Sequence, residues 1–299
     1  MQTTSYLYSE HAGSVVTAAS PLSINSESPA LAVIIRILSG TANITNRHSD
    51  ETIDADINYF LDETGVQTNR DLQFLDDYQE GLSLADYEDF LKKNMFKNRK
   101  FYQNLLNELS GAIYNSKQNS HTAAFVHIYR AYEYLAYSFP MVYAAKTGDF
   151  IGSFSKLSAW INQNAKDKEL SELAFHKQFI STLFKDTSEI SMSIDVHIRT
   201  KEEFKPNIFN GLATKVLGWK NSTSYTPNTV YPEKLSIPFT SFHSFIVTLR
   251  NRFFHYSNGR SDNIGHDDII DSNSLFELVN GAALRFIAII FHGVVSYEL

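Results

Sequence analysis

The chain contains no cysteine, only 7 proline and 13 glycine residues among 299, and no excess of positive charge. The first absence removes disulfides, thiolate metal centres and cysteine nucleophiles. Few prolines and glycines argue against a turn-rich sandwich or barrel and for long helices. Lys and Arg total 26 against 33 Asp and Glu, a net charge of −7, which disfavours indiscriminate polyanion binding but leaves room for a local basic cleft. No GxxxxGK(S/T), GxGxxG or GxSxG motif occurs, so nucleotide-hydrolysis and hydrolase-elbow chemistry lack support. Met1 is not followed by a basic region and an apolar run, so the expected location is the cytoplasm. Long apolar runs are scarce too. The one that stands out, residues 281–297, carries Arg285 and His292 and falls short of the roughly 20 residues a bilayer needs. It predicts a buried C-terminal helix and no membrane contact.

What is present is ample apolar surface: 43% hydrophobic and 20% charged residues, a composition for a packed core. The first 48 residues are rich in Ser, Thr and Ala. Ser28-Pro29 ahead of ALAVIIRIL favours a helix start, while the Val/Ile-rich run suits a buried strand equally well. Ser49-Asp50 is expected to cap a helix reaching about residue 63. Helical patterns follow over 84–114, 122–143, 150–164, 170–184 and 208–219. In the second of these Phe125, Ile128, Tyr132, Leu135 and Phe139 form one stripe. Residues 221–232 read as a polar loop, and 238–256 and 272–297 as two closing helices. The expected fold is mainly α, an antiparallel helical bundle with a small irregular N-terminal portion of undecided structure. Its expected divisions are an accessory region, 1–80, and a helical domain, 81–299.

The chemistry concentrates on the helix predicted over 238–256. Phe242, Ile246, Leu249 and Phe253 form its core stripe, and Ser244, Thr248, Asn251 and His255 a second, polar one. Asn251 and His255, four apart, share a face beside Arg250, and Arg250, Arg252 and Arg260 occur with no acid between them. An imidazole titrates near pH ~6.5, suiting His255 to acid–base work, and the guanidinium of Arg250 can fork onto a phosphate and steady growing charge. Asn251 can orient the imidazole or bond the phosphate. RNA brings its own nucleophile, the 2′-hydroxyl, so these groups suffice without a metal or cofactor. Two other Arg–His spacings occur: Arg260/His266 in a glycine-flanked loop and Arg285/His292 within the apolar last helix.

The run from Arg250 through Asn251 to His255 resembles the Arg-x4–6-His signature of the HEPN superfamily. These are helical bundles, many of them metal-independent endoribonucleases of toxin–antitoxin and anti-phage systems. The resemblance covers the C-terminal two-thirds of the chain and not its first 80 residues. It implies a homodimer in which two motif helices line one RNA-cleaving cleft, products with 2′,3′-cyclic phosphate and 5′-hydroxyl ends, and an antitoxin or defence-system protein as partner. It also points to a polar residue on an earlier helix, for which Glu133 is the candidate, although Arg130 one turn before it makes a plain surface ion pair the alternative.

Further RNA contacts are expected from Lys92, Lys93, Lys97, Arg99 and Lys100, five cations in nine positions interleaved with Phe96, Phe101 and Tyr102. Asp262, His266, Asp267, Asp268 and Asp271 read as a polar inter-helix loop and not as a metal site. The competing functional reading is a non-catalytic HEPN-like helical module that binds RNA, nucleotide or a protein.

Overall fold

The computed structural model describes residues 5–14, 16–25, 27–61, 72, 83–146, 151–152, 154–155, 158, 180–181, 183–185, 187–255, 263–265, 268–269 and 271–298, with backbone only for 137–146, 294 and 296–298. The chain is mainly α. It divides into two compact units, Met1–Leu135 with Ile287–Leu299, and Ala136–Phe286. Residue 80, the expected boundary, lies outside the described residues. The N-terminal segments share a unit with the helices that follow them because the first helix packs on a helix beyond residue 83.

In the first unit, β1 (Tyr6–Glu10), β2 (Ala42–Asn46) and β3 (Thr52–Ala55) form an antiparallel sheet in that order, with Tyr6 opposite Asn46 and Ile44 opposite Ile53. The helix expected from Ser49-Asp50 is thus a strand. Ile53 and Ala55 point inward while Thr52 and Asp54 are exposed, a period of two, and Asp50 at φ 56° belongs to the hairpin connection. The undecided run is helix α1 (Ala30–Leu38), with Pro29 at its N-cap and every residue from Leu31 to Leu38 buried. Its one charge, Arg36, is completely buried. The guanidinium pairs with the Glu10 carboxylate and also donates to Ser14 Oγ at 2.6 Å, Thr41 Oγ1 at 2.7 Å and the Leu22 carbonyl at 2.8 Å. A buried cation so enclosed is tolerable only because every donor finds a partner. Gly40 follows at φ +72°, where a Cβ would lie 2.7 Å from the Ile57 backbone, so only glycine fits.

The expected single helix over 84–114 is two. Helix α2 (Leu84–Asn94) opens with a Ser83–Asp86 capping box, and α3 (Arg99–Lys117) starts after Asn98, which turns the chain at φ 48°. Helix α4 (His121–Lys146) bears the predicted stripe: Phe125, Ile128, Tyr132 and Leu135 are buried. The helices expected over 150–164 and 170–184 lie largely outside the described residues.

In the second unit, β4 (Ser193–His197) pairs antiparallel with β5 (Lys234–Pro238), Ile194 opposite Ile237. Between them α5 (Lys205–Asn210) runs into a π-helical turn, Gly211–Val216. Strand β5 leads straight into α6 (Phe239–Phe254), since Pro238 in extended conformation is its N-cap. Phe239, Phe242, Phe245, Ile246 and Leu249 are buried, and the rings of Phe239 and Phe242 meet Phe286 at 5.3 and 5.1 Å. Phe286 belongs to α7 (Ser272–Glu298), through which the unit division passes. Helix α7 is long and apolar enough to cross a membrane over Ser272–Gly293, but 78% of that window is buried within the protein. A core helix satisfies the same criterion.

Candidate functional site

Residues Arg250 to His255 occupy the last turn of α6 and its C-cap. The helix ends at Phe254. His255 follows at φ −103°, ψ 64°, its N–H still donating to the Asn251 carbonyl at 3.3 Å, so it stays within reach of the final turn. The polar stripe grades outward: Ser244, Thr248 and Asn251 are half-buried and His255 is exposed. Arg250 is half-buried as well. Its Nη1 donates to Asn251 Oδ1 at 2.9 Å. Asn251 therefore holds the guanidinium, where the sequence had offered it the imidazole or the phosphate.

Packing fixes this helix end. Phe253 meets Phe276 edge-on at 4.9 Å and Phe254 stacks on the same ring at 5.8 Å. Ile264 N–H closes on the Arg252 carbonyl at 3.2 Å, tying the following connection back to α6. That connection is held from the π-helical turn: Lys215 Nζ donates to the Asn263 carbonyl at 3.0 Å and to Asp268 Oδ2 at 2.6 Å. Asp268 also accepts from Gly265 N–H at 2.8 Å. Asp271 caps α7, accepting from Ser274 N–H and Oγ, and those bonds hold its carboxyl below the usual range. The two described members of the acidic loop are thus committed to structure. Among the described residues no group of three or more potential ligands could hold a metal ion. Arg260, Asp262, His266 and Asp267 lie outside the described residues.

The other Arg–His spacing on α7 is buried at both ends. His292 bonds the Tyr87 hydroxyl and lines a small apolar pocket with Ile35, Phe60 and Val295. Burial lowers its pKa to about 3, so it is a neutral core histidine.

Lys92, Lys93, Lys97, Arg99 and Lys100 and Glu133 belong to the first unit, whereas Arg250, Asn251, Arg252 and His255 belong to the second. The five cations do converge, at the α2–α3 turn, and all are exposed. Lys92 pairs with Asp89 at 3.1 Å, and the Arg99 guanidinium lies 5.1 Å from the centre of the Phe96 ring, which is 64% exposed. Glu133 is half-buried. The partner expected for it, Arg130, reaches instead to Glu108 on α3 at 2.8 Å. His127 joins the same carboxylate, a grouping that no sequence pattern announced.

No family model matches the chain, and neither a curated protein nor a solved structure matches it significantly.

Proposed function

We propose that the chain is a metal-independent endoribonuclease of HEPN type, working as a homodimer in the cytoplasm and serving as a toxin or anti-phage effector under the control of an antitoxin or defence-system protein. The observation that carries the reading is the Arg250–Asn251 bond one turn before an exposed His255, at a helix end whose backbone is fixed on both sides. His255 takes the proton of the substrate's 2′-hydroxyl and the freed oxygen attacks the adjacent phosphorus. The bond to the 5′-oxygen breaks, and the imidazolium of the second copy protonates that leaving oxygen. Arg250, held by Asn251, stabilises charge on the phosphorane. Arg252 and Arg260, and the exposed cations of the α2–α3 turn, supply phosphate contacts, with Phe96 a stacking surface. Glu133 is the accessory polar group of the earlier helix.

The half-burial of Arg250 favours one rival, a non-catalytic module that binds RNA, nucleotide or protein through this face. Incubating the purified protein with total RNA in EDTA, wild type beside His255→Ala, decides between them. Cleavage by wild type alone supports the nuclease. Intact RNA in both lanes supports the module.

A further inference from the structure

Glu108, His127 and Arg130 form a second polar centre, wholly within the first unit. Glu108, on α3, is only 7% exposed. Its Oε2 accepts from His127 Nδ1 at 2.8 Å, and its Oε1 forms an ion pair with Arg130 Nη2, also at 2.8 Å. With Glu108 ionised, Nδ1 is the donor, which fixes the tautomer and leaves Nε2 as the outward nitrogen. His127 and Arg130 are three apart on α4 and so share one face. The imidazole sits against bare backbone of α3, because a Cβ at Gly111 would lie 2.8 Å from Nδ1. One buried carboxylate therefore anchors both side chains, and the glycine makes room for the imidazole. Yet neither is used up. Nε2 of His127 and the Nε and Nη1 of Arg130 have no hydrogen-bond partner among the described residues, and the Arg130 side chain is 54% exposed.

A guanidinium and an imidazole paired with the two oxygens of one buried carboxylate have the donor chemistry for a tetrahedral oxyanion. Nη1 and the second N–H of Nη2 make one guanidinium edge that can take two oxygens, and Nε2 of His127 in its imidazolium form can donate to a third. A polynucleotide backbone would need further cations at regular intervals. Along α3 the next one, Lys117, is occupied by Asp56 at 2.6 Å, and Lys100 lies about 12 Å away by helix rise. We propose that Glu108, His127 and Arg130 form a binding site for the dianionic phosphate of a small phosphomonoester. Glu108 is its positioning residue, and His127 and Arg130 touch the ligand. The site is independent of the nuclease reading, since it uses no residue of α6.

The test follows the ring resonances of His127 by NMR in the full chain. Titrants are inorganic phosphate, adenosine 5′-monophosphate, adenosine, and a diadenosine phosphodiester without terminal phosphate, at constant ionic strength. Saturable shifts with phosphate and the monophosphate, absent with adenosine and the diester, are expected. Arg130→Gln, an exposed change, should weaken binding by about tenfold or more. His127→Asn keeps a donor for Glu108 but removes Nε2, and should weaken it too. His255→Ala should bind as wild type whatever its effect on RNA cleavage. No saturable shift, equal affinity in Arg130→Gln, or binding of the diester as tight as that of the monophosphate would overturn the proposal. The first two outcomes would leave the centre a hairpin clamp.

Discussion

Two arginine–histidine pairs in this molecule invite comparison. At the end of α6, Arg250 donates to the neutral side chain of Asn251, and His255 stands exposed past the last helical residue. On α4, Arg130 and His127 are both tied to Glu108, a carboxylate buried between helices. In the first arrangement Arg250 bonds a neutral amide, and the imidazole is exposed. The second anchors both side chains on one carboxylate through a single nitrogen each. Removing a member of the first pair should therefore affect chemistry more than folding, whereas removing the anion beneath the second should affect folding first.

The largest effect is expected at His255. His255→Ala should lower the cleavage rate by about 10²–10⁴-fold, the usual contribution of a general acid–base group. Its urea midpoint should barely move, because the side chain is exposed. Unfolding of this variant would make the two pairs alike and end the contrast. Next comes Glu108→Ala, which strips the shared acceptor from two nitrogens and should cost about 2 kcal/mol in denaturant titration. A change near zero would mean that solvent replaces the carboxylate without loss.

A third histidine sharpens the contrast because it has neither role. His292 is buried with a depressed pKa of about 3, below the ordinary value of 6.5. The unfolded chain thus binds a proton that the folded chain refuses, so this stability is complete above pH 6.5 and is lost as pH falls towards 3. At pH 5 the loss should be about 2 kcal/mol relative to pH 7, and His292→Leu should flatten that acid limb. Equal acid sensitivity in both proteins would show that His292 is not the group responsible. The smallest effect is expected from Asp268→Ala, which releases Lys215 from the connection after α6 and should cost about 1 kcal/mol. It should also slow cleavage if that connection positions His255.

The two pairs were not equally legible in the sequence. Arg250, Asn251 and His255 lie within six residues of a well-patterned helix, and α6 itself could be read from Phe242, Ile246 and Leu249, which are all buried. What spacing did not reveal was the helix stopping at Phe254 or Asn251 turning to Arg250, both of which depend on backbone detail. Glu108 and His127 are 19 residues apart on different helices, so no periodicity joins them. The signals were faint: an i, i+3 His–Arg pair, and Gly111 in a helix otherwise poor in reasons for glycine.

The fold shows the same division between local pattern and tertiary context. Helix α1 was ambiguous because a fully buried run reads alike as helix or strand until the partners of Arg36 are known. The polar start at Ser49-Asp50 imitated a cap and hid the alternation of Ile53 and Ala55 in β3. Strand β4 is marked in the sequence only by the short alternation of Ile194, Val196 and Ile198, which all point inward. The break between α2 and α3 carries no glycine or proline, only Asn98 in the left-handed region, so the helical pattern ran across it.

The central claim is that the end of α6 cleaves RNA through the substrate's own 2′-hydroxyl. Its most direct test is an end-labelled oligoribonucleotide incubated with the protein in EDTA beside the same sequence made as DNA and as 2′-O-methyl RNA. The account predicts that only the ribonucleotide is cut, leaving 2′,3′-cyclic phosphate and 5′-hydroxyl ends, and that Arg250→Lys is impaired because an ammonium lacks the guanidinium fork. Cleavage of the 2′-blocked strand, or activity that vanishes in EDTA and returns with Mg²⁺ or Mn²⁺, would contradict it.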